Sequence, residues 1–304
     1  MSISVLMCTY NGEKYIEEQL ISIYEQTYKP DEVLIFDDCS TDSTVHIVQS
    51  FIKKYNLEKS WILEINENNK GYVKNFKNGI NKVKGDFIFF SDQDDVWNKN
   101  KIQSMMNYFT KYDDACVLGT DLIHFYPDSS ERIEGSLDNS IEKVQYKKKS
   151  DFIPHPAGCT MAIKRKYALN KMNLYSPEWS HDEFFWRMAT VDRCCYRIHK
   201  CFMRHRMSGT NVTSLPFKSK KERVSQASRN KNNYKQLLCY SEEIGFPVDQ
   251  IEIIKYFAKG NSLRFLFLNK PSVINFLKLL QYKCIFLTNK QLLGDIYYTL
   301  FKGK

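Results

Sequence analysis

The sequence predicts an α/β fold, a mostly parallel sheet with helices on both faces, followed by a helical C-terminal extension. Two observations predict it. Short, almost uninterrupted apolar runs alternate with segments of helical periodicity over the first ninety residues, as βαβ crossovers do when both sheet faces are covered. The charge also divides along the chain. Residues 218–304 hold 16 Lys and Arg against 6 Asp and Glu, whereas the remainder holds 28 against 29, so the formal +9 of the chain belongs to its end. With 43% hydrophobic residues, 12 Gly and 8 Pro in 304, disordered and fibrous classes are excluded.

Each element has its own signal. Residues 3–8 (ISVLMC) form a β-branched apolar run, and 14–26 place Ile16, Leu20, Ile23 and Tyr24 at helical spacing. A strand follows at 32–36 (EVLIF), then a helix over 43–55, a strand at 61–65, a helix over 73–83 and a strand at 86–90 (DFIFF). After Pro216 and Phe217 the composition changes to a polar, helix-compatible stretch and then to apolar-rich segments. A boundary therefore falls near Phe217, giving domains 1–217 and 218–304. In the second, apolar residues 273, 276, 277 and 280 share one helical face, and 292, 293, 296, 297 and 300 repeat the pattern.

Nine cysteines in odd number, without a CxxC pair, predict reduced thiols in a cytoplasmic protein. The opening MSISVLMCTYNGEKY lacks a basic segment ahead of an apolar run, so no signal peptide is predicted. No run of about 18 uncharged apolar residues occurs, which predicts contact with a membrane at most, at the inner face of the plasma membrane.

The residues that follow each strand are polar: Thr9-Tyr10-Asn11-Gly12, Asp37-Asp38-Cys39-Ser40-Thr41-Asp42, Asn66 to Gly71, and Ser91-Asp92-Gln93-Asp94-Asp95. In open α/β sheets ligands bind beyond the carboxyl ends of the strands, so four loops converge on one crevice. Single Asp, Ser or Thr residues there could be helix caps. Three carboxylates in four residues cannot all be caps, because they repel one another unless a cation or several donors compensate. Asp92 and Asp94 suit a hard divalent ion, Mn²⁺ or Mg²⁺, that also holds diphosphate oxygens. No G-x-G-x-x-G or G-x-x-x-x-G-K-[ST] occurs, so dinucleotide-binding and P-loop readings lack support.

These motifs, TYNGE at 9–13, DDCSTD at 37–42, NKG at 69–71 with Asn75-Phe76, and SDQDDVW at 91–97, together resemble family 2 glycosyltransferases of GT-A fold. SDQDDVW is similar to bacterial rhamnosyltransferases of cell-wall, capsule or O-antigen assembly. The likeness covers about residues 2–212. It implies inverting transfer of a sugar from a nucleoside diphosphate, dTDP-rhamnose favoured and a UDP-sugar possible, to a saccharide or lipid-linked acceptor. It also implies roles. Thr9, Tyr10, Asn11, Asp37, Asp38, Asn69, Gly71, Lys74, Asp92 and Gln93 would bind the donor nucleotide, and Asp94, Asp92 and His205 the metal. Trp97, Gly158, Cys159, His181 and Glu183 would face the acceptor or sugar. Asp182, opening a helix in WSHDEFFW, matches the family's catalytic base, with Glu183 as the fallback, because an attacking hydroxyl must lose its proton. Phe202-Met203-Arg204-His205 departs from the family pattern: Met203 stands where an Arg is usual and the gap to Asn211 is longer, so Arg204 or Arg206 would supply the missing charge.

Two other readings compete. A sugar-phosphate nucleotidyltransferase shares the acidic ligands, but needs a Gly-rich basic loop after the first strand. A nucleic-acid binder would use the basic tail, yet the body is slightly acidic and no RNA-binding signature is present, which points away from nucleic acid. The basic amphipathic segments of 218–304 fit peripheral membrane contact or packing in a homodimer.

Overall fold

The computed structural model describes residues 1–153, 155–176, 178–207, 219–286 and 288–301. These fall in two compact units. The first lies within Met1–Val144 and Pro156–Gly209, the second within Gln145–His155 and Thr210–Lys304. Phe217, the predicted boundary, and Asn211 lie outside the described residues.

The first unit begins β1 (Ile3–Thr9), α1 (Ile16–Tyr24), β2 (Glu32–Asp37), α2 (Thr44–Lys54), β3 (Trp61–Ile65), α3 (Tyr72–Lys82) and β4 (Phe87–Ser91), each within about two residues of the predicted bounds. The apolar runs of β1, β2 and β4 are buried on both faces, as in a covered parallel sheet, and β3 is the more exposed edge. Beyond them come β5 (Val96–Trp97), α4 (Lys101–Lys111), β6 (Val117–Phe125), β7 (Glu131–Glu134) and β8 (Ile141–Lys143). After a short helix of the second unit, α5 (Lys149–Phe152), the first unit resumes with a 3-10 turn at Gly158–Thr160, β9 (Ala162–Lys164), α6 (Arg165–Lys171), α7 (His181–Val191) and β10 (Cys195–Arg206).

The sheet order is β3-β2-β1-β4-β9-β6-β10-β5, with β7 on β6 and β8 on β10. The first four strands are mutually parallel, β9 runs antiparallel between β4 and β6, and β10 is parallel to β6. Strand order reverses at β1, which has β2 on one side and β4 on the other. β10 is the longest strand at 12 residues. Its register shifts near Cys201 turn its last residues beside β5 and the acidic loop.

The second unit is helical: α8 (Lys220–Glu243), α9 (Val248–Asn269), α10 (Val273–Leu280) and α11 (Asn289–Leu300), joined by α5. Phe152 of α5 stacks on Phe257 of α9 with ring centroids 4.3 Å apart. At the centre, buried Asp295 of α11 accepts from Arg223 of α8 (2.8 Å) and from Arg264 of α9 (2.6 and 3.2 Å), pinning three helices at one point. No helix among the described residues is long and apolar enough to cross a membrane.

Candidate active site

β1 and β4 end side by side at the point where strand order reverses, which is where α/β sheets bind ligands. The two loops are tied together. Tyr10 N donates to Gln93 Oε1 (2.8 Å) and Gln93 Nε2 donates to Tyr10 O (3.0 Å). A Cβ on Gly12 would meet Gln93 Oε1 at 2.4 Å, so any larger residue there would displace the Gln93 side chain from Tyr10. The Tyr10 ring remains exposed over this junction.

Asp37 and Asp38 spend their oxygens on loop architecture. Asp37, buried, accepts from Thr9 Oγ1 (2.8 Å), Ser40 N (2.8 Å) and Ser40 Oγ (2.6 Å). Asp38 accepts from Asn66 Nδ2 (2.9 Å), Lys70 N (2.8 Å) and Gly71 N (2.8 Å), so it fixes the entry to α3. Asn11 takes a left-handed conformation (φ 49°) and its Oδ1 accepts from Thr41 N (2.9 Å). Gly71 holds φ 81° with open space where a Cβ would be, so its conformation, not crowding, demands glycine. Asn69 and Lys74 are exposed on the rim.

The acidic loop is the electrostatic centre. Asp92 and Asp94 are half-buried and Asp95 fully buried. Burial pushes the Asp92 carboxyl up to about 7, helped by the charges of Asp95 and Asp94 and opposed by His205. Burial, with Asp94, likewise pushes Asp95 up to about 7, and Asp94 is raised by burial against the pull of His205. Asp95 Oδ1 accepts from Arg206 N (3.3 Å), while among the described residues no nitrogen or oxygen donor reaches its buried Oδ2 and only the Cys159 thiol lies beside the carboxyl. Such a group ordinarily finds a proton or a cation.

Asp92, Cys159 and His205 bring one ligand atom each within 4.8 Å of one another. Asp94 is not in that triad, but it lies close enough to His205 and Arg206 to feel both charges. His205 is positioned by residues that the motifs do not reveal. His124 Nε2 meets Glu134 Oε2 at 2.8 Å and its Nδ1 meets His205 Nδ1 at 3.1 Å. If Glu134 accepts from His124, then His124 Nδ1 accepts from His205, and the lone pair of His205 falls on Nε2, the arrangement a metal ligand needs.

Two cations close the loop from behind. Lys101, buried, donates to Cys159 O (2.5 Å) and lies 3.7 Å over the Trp97 ring; burial lowers its pKa to about 8 against the charges of Cys159 and Asp95. Arg206 Nε donates to Asp94 O (2.9 Å), whereas Arg204 points to exposed Glu131 (3.5 Å). Of the two arginines, Arg206 therefore serves the acidic loop.

On the acceptor side, Ser180 stands at the N-cap position of α7, and Asp182 and Glu183 fall in its first turn, where the helix dipole favours carboxylates. Glu183 Oε1 is taken by buried Arg187 (3.2 Å), while Asp182 stands near enough to raise the carboxyl of Asp92. A Cβ on Gly158 would meet His181 Nε2 at 2.5 Å and Asp182 Cβ at 3.4 Å. The dipeptide Gly158-Cys159 thus links the first turn of α7 to the acidic cluster. His181 is buried and stacked on Phe76 (3.8 Å), and Trp97 is buried in the core, so both support the site from within.

A covered parallel sheet with a carboxylate cluster at its switch point, facing a carboxylate on a helix N-terminus, defines a GT-A transferase. The sequence profile of glycosyl transferase family 2 matches residues 4–170, more than half of the chain, and the protein belongs to that family. It is 32% identical over 233 residues to the dTDP-rhamnosyl transferase RfbG of Shigella flexneri, covering 72% of this chain and 78% of that one. It is 37% identical over 114 residues to the poly(ribitol-phosphate) β-N-acetylglucosaminyltransferase TarS of Staphylococcus aureus, 37% of this chain and 19% of TarS. A TarS 1–349 structure in complex with UDP-GlcNAc superimposes with a TM-score of 0.67 at 19% identity, covering 98% of this chain and 82% of that chain. The mannosyltransferase PcManGT of Pyrobaculum calidifontis, in complex with GDP-Man and Mn²⁺, gives 0.55 at 14% identity, covering 99% and 88%. These structural likenesses carry the fold.

Proposed function

We propose that this glycosyltransferase moves rhamnose, with inversion, from dTDP-rhamnose to a saccharide or lipid-linked acceptor in the synthesis of a cell-surface polysaccharide such as capsule, O-antigen or a wall polymer. The observation that carries the reading is the opposition of Asp182 to the Asp92–Cys159–His205 cluster across one crevice. The rhamnose assignment is supported by the SDQDDVW segment and by the likeness to a dTDP-rhamnosyl transferase that extends over most of both chains. A UDP-sugar, as in the TarS complex, is the alternative donor.

The donor set fits a divalent cation: three raised carboxyls, one with a buried oxygen that no nitrogen or oxygen donor among the described residues reaches, beside an imidazole and a thiol. Asp92, Asp94 and His205 would hold it, and an imidazole nitrogen beside carboxylate oxygens favours Mn²⁺ over Mg²⁺. When bound, the ion neutralises charge on the departing diphosphate. The remaining work falls to the chain. The loops fixed by Asp37, Asp38 and the Tyr10–Gln93 pair shape the nucleotide pocket, with Tyr10, Asn69 and Lys74 on its rim. Asp182 accepts the proton of the attacking acceptor hydroxyl as the new glycosidic bond forms on the face opposite the leaving diphosphate. Asp182 is assigned as the base by its place in the first turn of α7 and its nearness to Asp92, and Glu183 is held by Arg187. A panel of nucleotide sugars with and without Mn²⁺, read by mass spectrometry for released nucleoside diphosphate, tests the proposal. Turnover of dTDP-rhamnose above all others is the expected result; turnover of a UDP-sugar alone overturns the donor assignment.

A further inference from the structure

α10 carries apolar residues on two sides. Phe276 and Leu279 turn inward, the Phe276 ring lying 5.7 Å from Phe267 of α9. On the other side Val273 is 73% exposed, Ile274 65%, Leu277 56% and Leu280 38%. At 3.6 residues per turn these four fall within an arc of about 120°, the width of a face that normally packs on something. A helix of eight residues presenting four large aliphatic side chains to water is an interaction surface by its composition. α11 repeats the feature with Leu293 and Leu300 exposed.

The charges around the stripe identify what covers it. Lys270, Lys278, Lys283 and Lys290 are all exposed, flanking or lying on α10 and the turns that follow. From residue 253 to 294 there is no carboxylate, and the only later one, Asp295, is fully buried and neutralised by Arg223 and Arg264. The stretch of chain that forms α10 and its flanking turns therefore carries charge of one sign. A second copy meeting this face by two-fold symmetry would set lysine against lysine with no carboxylate to relieve them. An anionic bilayer accepts both features at once: the aliphatic stripe enters the acyl boundary, while lysine stems lie along it with their ammonium groups at the phosphates.

We propose that α10 is a membrane-docking helix, lying in the plane of an anionic lipid surface with Val273, Ile274, Leu277 and Leu280 inserted and Lys270, Lys278 and Lys283 on headgroup phosphates. This surface lies outside the catalytic cluster and does not depend on which sugar is transferred.

Flotation of the full-length protein with phosphatidylglycerol–phosphatidylcholine vesicles and with phosphatidylcholine vesicles tests it. Binding to the first and little to the second is expected, weakening as salt rises. The double variant I274E/L277E and the triple variant K270E/K278E/K283E alter only exposed side chains, so a native circular dichroism spectrum is expected of both. The triple variant should lose roughly 100-fold or more in vesicle affinity, since about fivefold attaches to each surface lysine, and the double variant roughly tenfold or more through lost apolar insertion. Absence of binding to anionic vesicles overturns the proposal. So does undiminished binding by I274E/L277E, and so does a concentration-dependent dimer in light scattering that the same variant dissolves while vesicle binding is unchanged.

Discussion

His124→Phe is the most direct probe of how the site is organised. His124 is buried on β6, 3.1 Å from His205 and 2.8 Å from Glu134. Phenylalanine keeps a planar ring in that space and removes both nitrogens. His205 then loses the acceptor that fixes its tautomer and orientation, while its own side chain and the carboxylates are untouched. Loss of such an outer partner ordinarily weakens a metal site about 10–100-fold, or roughly 1.4–2.7 kcal/mol. Glu134, more than half exposed, is one step further from the ligand, so Glu134→Gln should cost only a few-fold. Isothermal titration with Mn²⁺ in the absence of donor measures the effect without relying on turnover. A folded His124→Phe protein that binds Mn²⁺ within twofold of the parent would refute the relay. A parent that binds no divalent cation, even with nucleoside diphosphate present, would refute the metal site itself.

Asp182→Asn should leave nucleotide affinity within about twofold and lower turnover by 10²–10⁴, the usual contribution of a general base; near-normal turnover moves the base elsewhere. The acidic loop predicts a pH dependence of stability for the metal-free protein. Asp92 and Asp95 hold their protons up to about pH 7 when folded, whereas unfolded aspartates release them near about pH 4. The native state thus binds more protons in that window, so this loop's contribution falls as pH rises from about 4 to about 7. Urea midpoints across the window should show a shallower loss in Asp95→Asn and recovery with Mn²⁺ at the upper end; an unchanged slope contradicts the assignment. In the second unit, Asp295→Asn leaves Arg223 and Arg264 without their shared buried carboxylate and should destabilise those helices by about 3–5 kcal/mol. All four Trp lie in the first unit, so hydrogen exchange over α8, α9 and α11 is the suitable readout; a loss under about 1 kcal/mol would mean the cluster is solvated.

The first four strands and three helices were legible because both signals used are local. A strand buried on both faces must be nearly all apolar, as FIFF at 87–90 is, and a helix packed on one side must repeat every three to four residues. The loops were legible because strand ends in a parallel sheet are where polar residues have a use. The later strands were not. β6 mixes Gly119, Thr120, Asp121 and His124 into its run, and β10 carries Arg197, His199, Lys200, Arg204, His205 and Arg206, because polar partners across the sheet satisfy them. α10 was visible as an element, but the expected shared face of 273, 276, 277 and 280 is split, with Phe276 packed inward and its neighbour Ile274 turned out.

By itself, the sequence determined the first four strands of the sheet, the polar loops that follow them with their carboxylates, and the location of the excess charge, since each is a property of adjacent residues. Only the tertiary structure decided that Asp37 and Asp38 brace loops, that Lys101 lies buried behind the acidic cluster, and that Glu134 and His124 stand behind His205. His124 lies 10 positions from Glu134 and 81 from His205 in contacts set by strand pairing, and no local pattern encodes which strand will be a neighbour. The same holds for the bare face of α10: periodicity shows that a helix has an apolar side, and only packing shows which part of that side the protein leaves uncovered.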